Sequence, residues 1–110
     1  MFKCLHWNEV EAETVNPVIG RKVIAGDRLM LVRHELKKGA VIPLHQHTHE
    51  QITWIQTGRV RLWAGGAETE LEADGVSCVP SNAPHKLEAL EDTVAFDVFT
   101  PLREDFMKRS

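Results

Sequence analysis

The stretch Pro43-Leu44-His45-Gln46-His47-Thr48-His49-Glu50-Gln51 is the most informative part of this chain of 110 residues. If it forms a β-strand, the alternation of side chains places His45, His47, His49 and Gln51 on one face. Packing does not explain three imidazoles and an amide on the same face of one strand. Imidazole is the commonest metal ligand among side chains. The pattern therefore predicts a site for a divalent metal ion.

A second histidine segment, Pro80-Ser81-Asn82-Ala83-Pro84-His85, follows about 35 residues later. Taken alone, a histidine that leaves such a proline-rich turn is more often exposed to solvent than bound to a metal. Its importance depends on the first segment, because two histidine segments can share one site only if the fold brings them together.

Short apolar runs separated by turn signals fill the rest of the chain. The signals include Gly26-Asp27, Gly65-Gly66 and Asp74-Gly75. Strands are predicted over residues 28–36, 51–57, 59–64, 68–73, 76–80, 86–90 and 94–99, with one short helical turn over 103–109. Strands of this length and spacing are typical of an all-β sandwich or closed barrel. In the predicted hairpin of 59–64 with 68–73, glutamates face Arg59 and Arg61 across the ladder.

Composition limits the kinds of function. The chain has 43% apolar and 26% charged residues and a net charge of -3, which is ordinary for a globular protein of one domain. No basic stripe indicates nucleic-acid binding, and no apolar stretch is long enough for a membrane span. The N-terminus lacks the apolar run of a signal peptide, so we expect a cytoplasmic protein. Cys4 and Cys78 are expected to be free thiols, with Cys78 in the core.

The two histidine segments resemble the paired motifs of the cupin superfamily. The first motif reads G-x5-H-x-H-x3-E/Q-x6-G, and the matching positions here are Gly39, His45, His47, Gln51 and Gly58. The second motif is represented by Gly75, Pro80 and His85. The resemblance covers residues 28–100 and implies a double-stranded β-helix, or jelly-roll, barrel formed by a single domain over residues 1–110. It also implies that His45, His47, Gln51 and His85 bind one divalent ion, for which Zn, Ni, Mn and Fe all remain open.

Two positions depart from the usual cupin pattern. Gln51 stands where glutamate is usual, and Asn82 stands where glycine is common. A neutral amide leaves the full positive charge on a divalent ion, which favours Lewis-acid chemistry and argues against dioxygen activation.

A narrower resemblance concerns the C-terminal part of the chain. The string His45–Gln51, together with residues 97–106, is similar to the small KdgF-type cupins, which open and tautomerise unsaturated monouronates from pectin or alginate into linear keto-uronates. In that group an aspartate and an arginine six residues later serve the reaction, and Asp97 and Arg103 have this separation. The resemblance implies that Arg103 grips the substrate carboxylate and Asp97 moves a proton.

Other roles and functions remain open at this stage. His49 is predicted as a second proton carrier or a pocket-lining residue, and Trp54 as a core residue or an apolar wall of the pocket. The rival functions are a polyketide-cyclase-like metal cupin and a sugar-binding cupin without catalysis, since one fold serves many chemistries. Like other small cupins, the chain is expected to form a homodimer. Its N-terminal apolar residues would either form that interface or cover the chain's own barrel.

Overall fold

The computed structural model describes residues 2–45 and 47–107, and two antiparallel β-sheets account for most of them. The elements are a 3-10 turn at Trp7–Glu9, β1 Ala12–Asn16, β2 Ile19–Ala25, β3 Met30–Leu36, β4 Val41–His45, β5 Glu50–Thr57, β6 Arg59–Ala64, β7 Ala67–Glu72, β8 Val76–Val79, β9 His85–Ala89, β10 Thr93–Thr100 and α1 Glu104–Met107. One sheet has the order β1-β2-β3-β10-β5-β8, and the other has the order β4-β9-β6-β7.

The two sheets pack their apolar faces against each other. Leu36, Ile55 and Ala95 of the six-stranded sheet form one buried cluster with Val60 and Leu87 of the four-stranded sheet. The side chains of each strand alternate between this core and the outside, as the apolar period of two predicts. The all-β jelly-roll prediction is therefore confirmed.

Local patterns predicted most of the strand positions to within two residues. The hairpin of β6 with β7 is also confirmed, since Arg61 is the register partner of Glu70 and its Nη2 lies 3.2 Å from a Glu70 carboxylate oxygen. The predicted C-terminal turn is α1, and its last residues, 108 and 109, lie outside the described residues.

The prediction of one continuous strand through the histidine segment is wrong. β4 ends at His45 and β5 begins at Glu50, while residues 47–49 belong to neither strand and the chain bends at residues 48 and 49. The chain crosses here from the four-stranded sheet to the six-stranded sheet, and no single strand can pair in both. The histidines consequently do not share one strand face, and tertiary contacts decide where each imidazole lies.

Two residues expected in the interior lie on the outer face of the six-stranded sheet. Cys78 is exposed, because its neighbour Val79 points inward and is only 1% exposed. Trp54 is 37% exposed and stacks on Phe96, with ring centroids 5.3 Å apart. Both cysteines are free, as expected.

The motif glycine Gly58 connects β5 to β6 at a φ of 94°, a region that side chains rarely adopt. A Cβ atom there would overlap Thr93 Oγ1 and the carbonyl oxygen of Asp92, and would lie 2.7 Å from Thr93 Cα. Gly58 is therefore required by the close approach of the strand that follows Asp92. Within residues 2–45 and 47–107, no helix is long and apolar enough to cross a membrane.

Candidate metal centre

Three of the predicted ligands converge where β4 meets β9. His45 is the last residue of β4, His85 is the first residue of β9, and the two are register partners. His47 follows in the crossing segment. One ligand nitrogen from each of the three imidazoles lies within 4.8 Å of the other two, a separation at which one ion can contact all three.

Main-chain hydrogen bonds set the tautomer of each of these imidazoles. His45 Nδ1 lies 2.8 Å from the Pro43 carbonyl oxygen. His47 Nδ1 lies 3.0 Å from the His49 carbonyl oxygen, and His85 Nδ1 lies 2.9 Å from the Ala83 carbonyl oxygen. Because a carbonyl oxygen only accepts, each Nδ1 carries the hydrogen and each Nε2 keeps its lone pair. This is the usual way in which a metal-binding imidazole is oriented.

Buried acceptor atoms without a hydrogen-bond partner indicate whether these residues fit a metal ion. Nε2 of His47 and of His85 is buried, and within the described part of the chain neither has a hydrogen-bond partner. The amide oxygen of Gln51 is buried and unpaired in the same way. An unsatisfied buried acceptor costs about 1–3 kcal/mol, and a bound cation removes that cost. The neutral donor set of three imidazoles and one amide oxygen therefore fits a divalent metal ion.

Gln51 is oriented by the buried carboxylate of Asp97. The Gln51 amide nitrogen donates to Asp97 Oδ1 at 3.0 Å and to the Thr53 hydroxyl at 3.0 Å. Since a carboxylate only accepts, the amide nitrogen faces Asp97, and the amide oxygen is left for a ligand. β5 and β10 are neighbours with Thr53 opposite Asp97, which explains why residues 46 positions apart meet here.

The crossing segment is held by the turn that precedes His85. The backbone N–H of Asn82 donates to the His47 carbonyl oxygen at 2.8 Å, and the Ser81 hydroxyl donates to the Thr48 carbonyl oxygen at 2.7 Å. Asn82 has a φ of 65°, which asparagine tolerates better than most residues. This explains how asparagine can stand where glycine is common in the second motif.

Burial lowers the pKa of both His47 and His85. For His47, the positive charge of Arg103 lowers the pKa further, while the hydrogen bond to the His49 carbonyl opposes the shift. For His85, the hydrogen bond to the Ala83 carbonyl opposes the effect of burial, and the nearby His45 adds to it. Both imidazoles are therefore held in the neutral form that a metal requires.

A cavity of about 380 Å³ opens beside these ligands and between the two sheets. Its wall is apolar in part and carries several charged groups; the lining residues are Val15, Asn16, Ile19, Arg21, His34, Val41, Ile42, Pro43, His45, Gln51, Asp97, Phe99, Arg103 and Phe106. Two predicted ligands and both members of the predicted Asp–Arg pair therefore border one space.

Arg103 lies at this cavity without contacting Asp97. Its guanidinium donates to the Asp105 carboxylate through Nε at 3.0 Å and Nη2 at 2.8 Å. The same group lies 4.3 Å from the ring centroid of Phe106 and 5.2 Å from that of Phe99. Asp105 uses two of the five guanidinium N–H groups, so three remain for a ligand.

His49 is placed apart from the cavity. Its Nε2 lies 2.9 Å from the Leu102 carbonyl oxygen, and its side chain borders a different cavity of about 410 Å³, next to Asp27 and Asp105. His49 therefore remains only a predicted catalytic residue, and its position favours a structural role.

Sequence reasoning missed two polar residues of the cavity. His34 is buried on β3, with Nδ1 3.0 Å from Asp97 Oδ2. Arg21 on β2 makes a two-point ion pair with Glu13 and lies 3.9 Å from the ring centroid of Phe106. The signal for His34 was present: one imidazole replaces an apolar residue at an inward position of the strand Met30–Leu36.

Comparisons with known proteins agree with this arrangement. A family model of the cupin domain matches residues 32–99. The solved structure of KdgF from Halomonas sp. is 30% identical, has a TM-score of 0.90, and aligns over 96% of this chain and 99% of its own. A search of curated protein sequences gives no match.

Two further solved structures resemble the chain. An RmlC-like cupin from Shewanella frigidimarina is 26% identical with a TM-score of 0.89, over 93% of both chains. A predicted oxalate decarboxylase from Thermotoga maritima is 17% identical with a TM-score of 0.79, over 91% of this chain and all of its own, and that likeness concerns the fold alone.

Proposed function

The chain belongs to the cupin domain family, and from this premise we propose that it is an enzyme that converts unsaturated monouronates to linear keto-uronates. The resemblance to KdgF-type cupins suggests this substrate class. The observation that supports the proposal is the cavity itself, which is lined by Arg103 together with the proposed ligands His45 and Gln51.

The reaction is an isomerisation that needs only the movement of protons. The hemiacetal hydroxyl of the sugar loses its proton, and the bond between the anomeric carbon and the ring oxygen breaks. The ring oxygen keeps the electron pair and becomes an enolate oxygen. A carbon of the former ring double bond then gains a proton, so that the enolate becomes a ketone. No atom or electron is gained or lost overall.

Each part of the cavity has a task in this reaction. A divalent ion held by His45, His47, Gln51 and His85 would supply Lewis-acid polarisation of a bound oxygen. The free N–H groups of Arg103 are suited to a carboxylate, which a planar guanidinium binds at two points. Asp97, predicted as the group that moves a proton, also holds Gln51 in position.

The size and polarity of the cavity favour a uronate over the rival substrates. A volume of about 380 Å³ is at the small end of ligand pockets, which suits one sugar ring better than a long poly-keto chain. The guanidinium of Arg103, with N–H groups left free by Asp105, favours an anionic ligand. A binding module without catalysis would use the same contacts, so turnover has to distinguish the two.

The test supplies unsaturated monouronate to metal-loaded protein and follows the ring proton signals by NMR. We expect the ring form to disappear faster than in buffer, with a keto-uronate as the product. A rate equal to the spontaneous one contradicts the enzymatic proposal. If a poly-keto substrate is cyclised instead, or if the uronate binds and is recovered unchanged, one of the rival functions replaces it.

The proposal extends to a homodimer in the cytoplasm. In the described chain, several N-terminal apolar residues cover their own barrel: Ile19 is buried, Val18 packs on the core, and Trp7 lies 5.8 Å from Phe96 between ring centroids. The surface that a second copy would cover is the outer face of the six-stranded sheet.

Apolar side chains form continuous rows across that outer face. Ile24, Leu31, Val98 and Ile52 are successive register partners on four strands, and the next row contains Phe96, Trp54 and Val76. Four residues of these rows are 36–63% exposed, namely Ile52, Trp54, Val76 and Val98. Together they expose roughly 300–400 Å² of apolar surface, whereas a stable interface buries about 800 Å² per partner. A two-fold dimer pairs such a face with itself, so no separate complementary surface is required.

A further inference from the structure

His34 is buried in the wall of the cavity and held by a carboxylate. The residue is 5% exposed, and Nδ1 of its imidazole lies 3.0 Å from Asp97 Oδ2. β3 and β10 are hydrogen-bonded neighbours, and the side chains of both residues point inward. Its ring also meets Phe106 edge to face at 6.3 Å between centroids.

Asp97 is poorly suited to accept a proton itself. Its Oδ1 accepts hydrogen bonds from the Thr53 hydroxyl and the Gln51 amide, and its Oδ2 accepts from His34. Asp97 is consequently a carboxylate whose two oxygens are both occupied by donors.

An ionised partner fixes the tautomer of His34. Because Asp97 Oδ2 can only accept, Nδ1 of the imidazole carries the hydrogen, and Nε2 has a free lone pair. A base oriented by a third group in this way is the arrangement that general-base catalysis uses. The negative charge of Asp97 also stabilises the imidazolium that forms after the base accepts a proton.

We propose that His34 is the proton carrier of the cavity and that Asp97 acts as its positioning residue, an inference that rests on the proposed ring-opening function. Nε2 of His34 takes the hydroxyl proton of the hemiacetal as the ring bond breaks. The imidazolium then delivers a proton to the carbon of the former double bond, which becomes a CH2 group. His34 ends in its starting form, and the proton balance of the isomerisation is preserved.

Arg21 is the other charged group beside His34, to which it is paired in register on β2. Glu13 binds the guanidinium of Arg21 at 2.8 and 3.1 Å and offsets much of its charge. The carboxylate of Asp97 is the charged group that contacts the His34 ring directly.

The matched variants are His34→Asn and His34→Gln. The asparagine amide can donate to Asp97 from near the position of Nδ1 but has no basic nitrogen, and glutamine places an amide near the position of Nε2. In both, we expect kcat to fall about 10²- to 10⁴-fold, the usual contribution of a general acid–base group. Metal content should be unchanged. The control His6→Asn, at an exposed site on the N-terminal segment, should leave kcat unchanged.

A reaction in D2O separates a proton carrier from a structural residue. A protein-bound acid delivers the new deuteron to one face of the carbon, so the wild-type product should be labelled with one configuration. The His34 variants should yield a mixture of both configurations. Because Asp97 acts in part through His34, Asp97→Asn should lower kcat by a smaller factor in the His34→Asn background than in the wild-type protein. A His34→Asn variant with a kcat within threefold of wild type overturns the proposal, as does a loss of activity that parallels a loss of metal.

Failure of the proposed function is distinguishable from failure of this inference. Nitrogen-15 NMR of the wild-type imidazoles needs no turnover, and it should show His34 protonated at Nδ1, with an Nε2 signal that moves when glucuronate is added. If unsaturated uronate is not converted but Nε2 responds to glucuronate, the ring-opening function fails and the place of His34 in the ligand site stands. The opposite tautomer, or an Nε2 signal that ignores glucuronate, overturns the His34 assignment.

Discussion

The Gln51 amide nitrogen lies 3.0 Å from Oδ1 of Asp97, and this contact explains why the first cupin motif carries glutamine instead of the usual glutamate. A glutamate would place a second carboxylate against one that is already ionised and buried. Two carboxylates that share a site cannot both ionise without a large cost. The amide satisfies Asp97 with its nitrogen and keeps its oxygen for a metal ion.

Gln51→Glu should therefore destabilise the metal-free protein by about 1–3 kcal/mol, because a donor to a buried carboxylate is replaced by a like charge. Chemical denaturation of the metal-free variant measures the loss. Adding Asp97→Asn should recover part of it, since asparagine supplies an N–H to the new carboxylate. Strictly additive effects in this double-mutant cycle would show that the two side chains are not coupled.

Removal of a ligand imidazole should abolish metal binding. We expect His45→Ala and His85→Ala to retain no stoichiometric Zn²⁺ after dialysis, and to lose the rise in Tm that the wild-type protein gains when the ion is added. His49→Ala is the matched control. It should keep its metal, because Nε2 of His49 is bonded to the Leu102 carbonyl and the ring borders another cavity. Loss of metal from this control would place His49 in the ligand set.

Acid should weaken the metal-free fold before any carboxylate titrates. Burial lowers the pKa of His47 and His85 from 6.5 in the folded state, so the unfolded chain binds these protons more tightly. Protonation then favours unfolding, and the free energy of unfolding should fall as the pH decreases from 7 to 5. Asp97, whose pKa lies below 3.8, loses its contribution only at lower pH. His47→Asn together with His85→Asn should flatten the pH dependence above pH 5, and an unchanged slope would assign it to other groups.

Arg103→Lys should weaken substrate binding while leaving the metal in place. Lysine keeps the positive charge but lacks the planar fork that holds a carboxylate at two points, so we expect kcat/KM for unsaturated uronate to fall about 10-fold or more. Steady-state kinetics and metal analysis of the same preparation measure both properties. Asp105→Asn removes only the charged partner of Arg103, so its kcat/KM should fall less. Wild-type kinetics for Arg103→Lys would mean that the carboxylate is bound elsewhere.

The proposed dimer should depend on the outer face of the six-stranded sheet. Light scattering coupled to size exclusion should give the wild-type protein twice its chain mass of 12.5 kDa. Ile52→Glu and Val76→Glu place a charge at the exposed β5–β8 end of the apolar rows and should yield monomers. The control Ala67→Glu, at an exposed position on β7 of the other sheet, should remain dimeric. Dimers that survive both changes at the sheet face would locate the interface elsewhere.

Much of the fold could be predicted from local sequence. The apolar period of two gives the strand positions, and glycine pairs such as Gly65-Gly66 mark where β6 turns into β7. The spacing of the two motifs indicates the ligands, and His45, His47 and His85 do converge. The strands and turns depend on residues close in sequence. The ligand positions follow from the cupin motifs, whose spacing this chain matches.

The side of each sheet that becomes the interior was decided by tertiary structure. Nothing local tells Cys78 from Val79 or places Trp54 outside, because both faces of β5 and β8 carry apolar residues. The crossing from one sheet to the other between His45 and Glu50 likewise depends on the partners that β4 and β5 find, and it leaves His49 packed against the His47 ring but outside the cavity that His45 lines.

Local patterns alone specify an all-β chain with two histidine segments of cupin spacing. Only the tertiary structure brought His34, Gln51 and Asp97 together, because they lie on three strands that become neighbours when β10 pairs between β3 and β5. A buried carboxylate must find donors wherever the fold supplies them. Those donors turn Asp97 from an isolated charge in an apolar strand into the group that orients both a metal ligand and an imidazole.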